Sequence, residues 1–168
     1  MIESLQRQFD LAWALTDLHL SALSVEDFRW EPTSLVWTMR KDAAGRWCPD
    51  WAETEPEPIP VPTIGWISWH IVFWWSSAMD ALAGRPARPP TAIAWPGPAD
   101  AVEVIRALHA QWREVLAGLS PADLDAPCAF PWGPDADRTV ADTVLWLNIE
   151  LTKNGSEIGL LRMMRVAN

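Results

Sequence analysis

The sequence predicts an all-α protein, a single domain over residues 1–168 that folds as a four-helix bundle with two long proline-rich connections. Four long segments carry apolar residues at the i, i+3, i+4 spacing of one helix face. No run of alternating apolar and polar residues lasts more than a few positions, so no strand pattern competes. The proline-rich stretches fall between the helical segments, where they interrupt no helix.

The first helix is predicted from Ile2 to about Leu23, with Phe9 among the residues of its apolar face. Ser24 with Asp27 three positions later indicates a cap that opens a short helical turn. About 35 residues of irregular chain follow, including "CPDWAETEPEPIPVP", whose five prolines exclude a helix interior. A connection of this length in a compact domain commonly wraps the fold or covers a site.

The second helix is predicted to begin after Thr63, its N-cap, and to end before Gly84. Its sequence is apolar nearly all round, so we expect it to be the most buried helix. The proline-rich segment "RPARPPTAIAWPGP" connects it to a third helix. This third helix is predicted to begin at Asp100, to use Glu103 in an acidic capping box, and to end near Gly118.

The fourth helix is predicted from about Thr139 to Arg165, with Asp142 in a cap-like position. A weak internal repeat links the two halves of the chain. The segments "ALSVEDFRWEP" and "GLSPADLDAP" share L-S-x-x-D, and each precedes a loop and a helix that opens with threonine. Two helix pairs packed back to back would explain the repeat, and so would chance recurrence of one capping pattern. The sequence leaves both explanations open.

Composition excludes several function classes. Thirteen basic and 22 acidic side chains give a net charge of -9, which repels phosphate backbones and argues against nucleic-acid binding. The beginning of the chain has no apolar signal region, and the longest apolar stretch is too short to cross a bilayer. We therefore expect a cytoplasmic protein with no membrane partner. Cys48 and Cys128 fit no metal or disulfide pattern and are expected to be reduced thiols.

One polar residue stands out in the most apolar stretch, "TIGWISWHIVFWWSS", where tryptophans surround His70. Helical spacing places Trp66 and Trp74 on the same face as His70. On the fourth helix, Glu150 and Asn154 share a stripe with residues that should face the core. An isolated buried carboxylate would be very unfavourable. These side chains are therefore candidates for a polar cage that holds a divalent metal or a small polar ligand between facing helices.

A structural hydrogen-bond network is the alternative explanation of the same residues. Glu150 would then pair with Lys153 or with an arginine, and His70 would donate to a main-chain carbonyl or to Glu150. His109 is interpreted as a core or edge residue rather than a fourth ligand, and His19 is a weaker candidate still. Spacing alone does not decide between the cage and the network.

Two segments resemble the DinB-like superfamily. "TIGWISWHI" resembles its helix-two signature, in which a Trp-His-Ile type sequence presents a metal-binding histidine. "LNIELTKNGSEIGLLRMM" is similar to its last-helix segment, which carries an H-x-x-x-H pair. The resemblance implies a four-helix bundle, often a homodimer, and in better-equipped members a divalent metal (Zn, Ni or Mn) held by three histidines. Some members are thiol-dependent transferases or isomerases that use low-molecular-weight thiols.

The resemblance places His70 at the first ligand position, and Glu150 and Asn154 at the positions of the paired histidines. An asparagine amide is a poor ligand for a transition metal, so we expect the metal to be weakly held or absent. The first hypothesis is a metal- and thiol-dependent transferase acting on a small thiol and an electrophile. His70 and Glu150 would be catalytic, and Asn154, Trp66 and Trp74 would contact the substrate. The alternative is a non-catalytic bundle, without metal, that binds a small ligand or a protein partner.

Overall fold

The computed structural model describes residues 1–167 and contains the four predicted helices. They are α1 (Ile2–Leu20), α2 (Ile64–Leu82), α3 (Ala101–Gly118) and α5 (Val140–Ala167), and α4 (Pro121–Leu124) is a single additional turn. Two 3-10 turns, Asp27–Arg29 and Pro90–Ala92, lie in the connections. The helices begin and end close to the predicted positions, although α1 stops at Leu20 rather than Leu23.

The helices pack as a bundle around a core rich in tryptophan. α1 packs mainly against α5 and also contacts α3, while α2 packs against both α3 and α5. Trp69, Trp74 and Trp75 of α2 and Trp112 of α3 are completely buried. Most of α2 is buried, as its apolar sequence predicts. None of the helices within residues 1–167 combines the length and the apolar character needed to span a membrane.

Two of the predicted caps are confirmed. The Thr63 hydroxyl accepts a hydrogen bond from the Trp66 backbone N–H at 3.2 Å. At the start of α5, the Thr139 backbone N–H donates to Asp142 at 2.9 Å, and the Asp142 N–H donates back to the Thr139 hydroxyl at 3.3 Å. Each contact satisfies backbone donors that the helix itself leaves unpaired.

The predicted cap of α3 is wrong. Asp100 makes no side-chain capping bond at the N-cap position. Glu103 instead accepts a hydrogen bond from Arg106 at 3.1 Å, and Arg106 also donates to Asp17 of α1 at 3.0 Å. An ion pair within α3, whose arginine also reaches Asp17, therefore takes the place of the capping contact.

The L-S-x-x-D repeat corresponds to one local structure used twice. In each copy the serine backbone N–H donates to the aspartate three residues on, at 2.6 Å for Ser24 and Asp27 and at 2.8 Å for Ser120 and Asp123. The first copy opens a 3-10 turn and the second opens α4.

The expectation of a purely helical fold is wrong in one respect, because the first connection contains four very short strands. β1 (Val36–Trp37) pairs in parallel with β4 (Val61–Pro62), and β2 (Met39–Lys41) pairs antiparallel with β3 (Trp47–Pro49). Strands of two or three residues are too short to show an alternating pattern, so periodicity could not reveal them.

The first connection also covers part of α2. The Trp66 indole N–H donates to the Asp50 carbonyl at 2.7 Å. Trp51 then places its ring edge-on against Trp69 and Phe73, with centroids 5.9 and 6.0 Å apart. The connection therefore lies against the face of α2 that carries His70.

Candidate functional site

His70 lies in a stack of aromatic rings. Its imidazole stacks on Trp66 with centroids 5.0 Å apart, and Trp66 stacks on Trp37 at the same distance. The Phe73 ring is tilted relative to the imidazole, with its centroid 6.2 Å away. Within residues 1–167 the buried Nδ1 atom of His70 has no hydrogen-bond partner. The ring is thus fixed by packing, and one polar atom is left without a protein partner.

Asn154 connects α5 to α2 at this point. Its Oδ1 accepts a hydrogen bond from the Trp74 indole at 3.0 Å, and its Nδ2 donates to Glu157 at 3.1 Å. Asn154 is 1% exposed, and it lies close enough to His70 for a side-chain hydrogen bond. Both ends of the amide are therefore already bonded within the protein.

Lys153 lies between two carboxylates of the same helix. Its ammonium nitrogen is 3.7 Å from Glu150 Oε2 and 3.4 Å from Glu157 Oε1. The sequence allowed Glu150 to pair either with Lys153 or with an arginine, and the structure has the pair with Lys153. Lys153 is half exposed, so this ion pair is partly solvated and contributes little to stability.

The surroundings shift two pKa values in opposite directions. Burial lowers the pKa of His70 from 6.5 to about 4, the Lys153 charge lowers it further, and a hydrogen bond with Asn154 only partly opposes them. Burial raises the pKa of Glu150; the Lys153 charge opposes this rise, and the Glu157 charge adds to it. At neutral pH the imidazole is therefore uncharged.

His70 is expected to stay neutral in the folded protein until the pH approaches about 4. Because folding lowers the His70 pKa, the unfolded chain takes up this proton first, below its own pKa of about 6.5. The neutral imidazole therefore contributes fully to the unfolding free energy above pH about 6.5, and this contribution is lost as the pH falls toward the folded pKa of about 4. Nitrogen-15 NMR of the imidazole should follow this directly, with the His70→Gln variant used to assign the signal. A His70 signal that titrates near pH 6.5 would contradict the expectation.

Two contacts join side chains singled out from the sequence: Trp66 stacks on His70 within α2, and Trp74 bonds Asn154 between α2 and α5. Glu150 lies one turn before Asn154 on α5. Within residues 1–167, no group of three or more His, Cys, Asp or Glu side chains is arranged to hold a metal ion. We refer to His70, Glu150, Lys153, Asn154 and Glu157 as the polar cluster.

The remaining candidate residues lie elsewhere. His109 stacks on Trp13 of α1 with centroids 3.9 Å apart, in the contact between α1 and α3. His19 lies at the end of α1 against Gly159 of α5. Cys48 belongs to β3, and its thiol is not bonded to that of Cys128.

A cavity of about 550 Å³ begins next to the polar cluster. Phe73, which contacts His70, and Ser77 one turn further along α2 form one wall, and residues 127–134 form the other. The second wall includes Cys128 and Phe130, and the lining is mainly apolar. The buried hydroxyl oxygen of Ser77 has no hydrogen-bond partner within residues 1–167.

Sequence reasoning did not find this cavity. Its second wall comes from a loop whose composition resembles an ordinary connection, and Arg85 and Arg88 at its edge lie in the proline-rich segment after α2. The only signal is Ser77, which lies seven residues after His70 and therefore on the same face of α2.

The protein is therefore a helical bundle that carries a polar cluster where α2 packs against α5. The family model of the DinB superfamily matches residues 8–158, and the chain therefore belongs to the DinB superfamily. Searches of curated proteins and of solved structures each gave no significant match.

Proposed function

We propose that this DinB-superfamily chain binds a small organic molecule in the cavity beside Phe73 and Ser77, and that binding does not depend on a divalent metal. The cavity itself carries the proposal. Its volume of about 550 Å³ lies within the range of about 300–1,000 Å³ that is usual for ligand pockets. Its mainly apolar walls are also typical of such pockets.

The donor set of the polar cluster fits a divalent metal poorly. The Lys153 ammonium already lies against Glu150 and Glu157, so a metal ion would have to displace a positive charge. Both ends of the Asn154 amide are bonded to other side chains, and an amide is a weak ligand for Zn, Ni or Mn. These contacts support a cluster in which Lys153 provides the positive charge.

The thiol-dependent transferase remains the less favoured hypothesis. A thiolate is stabilised by nearby positive charge. The one ammonium group of the polar cluster, that of Lys153, is already paired with Glu150 and Glu157, and the imidazole is neutral at pH 7 because the His70 pKa is about 4. This electrostatic environment favours the non-catalytic hypothesis over thiolate chemistry.

A homodimer also remains a prediction. The tryptophans of α2 are buried and cannot form an interface. Leu11, Leu15 and Leu18 of α1 are each more than half exposed and provide an apolar surface for a second copy.

The proposal is tested by titrating the protein with the neutral fluorescent probe N-phenyl-1-naphthylamine, with and without EDTA. We expect saturable binding of about one probe per chain, with an affinity that EDTA does not change. Filling the cavity in the Ser77→Leu variant should abolish binding, whereas the exposed Ser156→Leu variant should behave as the wild type.

Three outcomes would overturn the proposal. The first is no saturable binding to the wild type. The second is binding that EDTA removes and added Zn²⁺ restores. The third is binding that Ser77→Leu leaves intact, which would place the probe elsewhere.

A further inference from the structure

Two arginines lie at the edge of the cavity and share one carboxylate. Arg85 Nε and Arg88 Nε each donate to a different oxygen of Asp80, both at 2.7 Å, and Arg88 Nη2 lies 2.6 Å from the second oxygen. Asp80 is 7% exposed and belongs to the last turns of α2. The buried carboxylate therefore fixes both guanidinium groups beside the opening.

This arrangement leaves an excess of positive charge. Burial alone would raise the pKa of Asp80, but the hydrogen bonds from Arg85 and Arg88 outweigh it and hold the pKa below its ordinary value. Asp80 is thus ionised at neutral pH and balances only one of the two guanidinium groups. In a chain of net charge -9, the edge of the cavity is locally positive.

The guanidinium groups also retain donors for another partner. Arg85 uses only Nε on Asp80, and within residues 1–167 its two terminal nitrogens have no protein hydrogen-bond partner. Arg85 and Arg88 both line the cavity and are about half exposed, so their side chains remain accessible from solvent. A fixed guanidinium fork of this kind matches the two oxygens of a carboxylate or the oxygens of a sulfonate.

We propose that the cavity takes an organic anion whose apolar or aromatic body contacts Phe73 and Phe130 and whose acidic group pairs with Arg85 and Arg88. This inference rests on the proposed function, because it names the class of molecule that the cavity binds. Phe73 also contacts His70 of the polar cluster, where the imidazole is neutral at pH 7 and the Lys153 ammonium is already paired with Glu150 and Glu157. That side of the cavity therefore offers the acidic group no unpaired positive charge, and the anion is oriented with its charge toward the arginines.

The test compares two probes of similar ring structure, the neutral N-phenyl-1-naphthylamine and the sulfonated 8-anilino-1-naphthalenesulfonate. We expect Arg85→Gln and Arg88→Gln each to weaken sulfonate binding about tenfold, the usual effect of losing a charged hydrogen bond. Binding of the neutral probe should change by less than about twofold, because it makes no charged contact. Arg113→Gln, which removes an arginine that pairs with Asp10 away from the cavity, is the matched control. Raising the salt concentration should weaken only the sulfonate.

The outcomes separate the inference from the proposed function. If the wild type binds the neutral probe but Arg85→Gln and Arg88→Gln bind the sulfonate as tightly as the wild type does, the inference is wrong and the proposed function stands. If neither probe saturates on the wild type, the proposed function is wrong and the inference falls with it. Where one Gln variant also loses the neutral probe, the other Gln variant decides, and where both do, the salt dependence of the wild type decides. Weaker sulfonate binding in the variant that keeps the neutral probe, or salt-sensitive sulfonate binding to the wild type, supports the inference; unchanged or salt-insensitive sulfonate binding opposes it.

Discussion

The Gly155→Val variant is expected to lose about 3 kcal/mol of unfolding free energy, at the upper end of what overpacking a core usually costs. Gly155 lies where α5 packs against α1. A Cβ atom at this position would clash with the Thr16 hydroxyl and would lie only 3.2 Å from the Thr16 Cα atom. Since Cα belongs to the backbone of α1, rotation of the threonine side chain does not remove the conflict.

Thr16 is also held in place by its own hydrogen bonds. Its hydroxyl donates to the Ala12 carbonyl at 2.9 Å and to the Leu151 carbonyl of α5 at 3.3 Å, and Thr16 is 1% exposed. Accommodating a valine therefore requires α1 and α5 to separate, which affects the largest helix contact of the bundle. Urea unfolding followed by tryptophan fluorescence measures the loss.

Gly118→Ala is the control, because nothing lies within 4 Å of the Cβ position at the end of α3. A glycine within a helix costs about 0.5–1 kcal/mol relative to alanine. The control should therefore be neutral or slightly stabilising. If Gly155→Val were as stable as the wild type, the close approach of α1 and α5 at Thr16 would be wrong.

Local sequence patterns predicted the helices well because the determinants of a helix lie within a few residues of one another. Thr63 and the Thr139–Asp142 pair are real caps, and Ser24 and Ser120 form the same local turn. Glu103 is different, because its carboxylate has two local options, the helix N-terminus and Arg106 three residues on, and spacing does not decide between them. It bonds Arg106, which also bonds Asp17, a residue distant in sequence.

The connections were harder to predict because their structure depends on tertiary packing. The pairing of β1 with β4 brings Val36 to Val61 across the whole first connection. The cavity similarly needs α2 and residues 127–134 to meet, and no pattern in either segment specifies that contact. Arg85 and Arg88 gain a role only once Asp80 is known to be buried.

The polar cluster was predictable in part. The i, i+4 spacing of Glu150 and Asn154 and the buried stripe around them indicated that they would face α2, and the Trp74–Asn154 bond has this geometry. The role of Lys153 was harder to predict. Its spacing allows it to pair with Glu150, with Glu157, with both or with neither, and in the folded protein it contacts both.

Replacing both Glu150 and Asn154 by histidine is expected to create a metal site that takes up about one Zn²⁺ or Ni²⁺ ion per chain. The resemblance to the DinB-like superfamily places these two positions, with His70, where three imidazoles hold the metal. The double substitution removes a carboxylate partner of Lys153 and replaces an amide by a strong nitrogen ligand. Calorimetric titration and elemental analysis after dialysis measure the ion.

The metal-free double variant should be less stable than the wild type. It lacks the buried Trp74–Asn154 hydrogen bond, and an indole N–H left without a partner costs about 1–3 kcal/mol. Added Zn²⁺ should reverse this loss, because a free ion concentration about 100 times the dissociation constant stabilises the folded state by about 2.7 kcal/mol. The thermal unfolding temperature is therefore expected to fall without metal and to rise with it.

His70→Ala in the same background separates a designed site from adventitious binding, since it should abolish the stabilisation by Zn²⁺. The His109→Ala control should not, because His109 lies between α1 and α3. A double variant that folds but takes up no metal would mean that positions 150 and 154 do not reach His70. The assignment of these residues to the ligand positions of the family would then be wrong, although the hydrogen bond between Trp74 and Asn154 would still account for their burial.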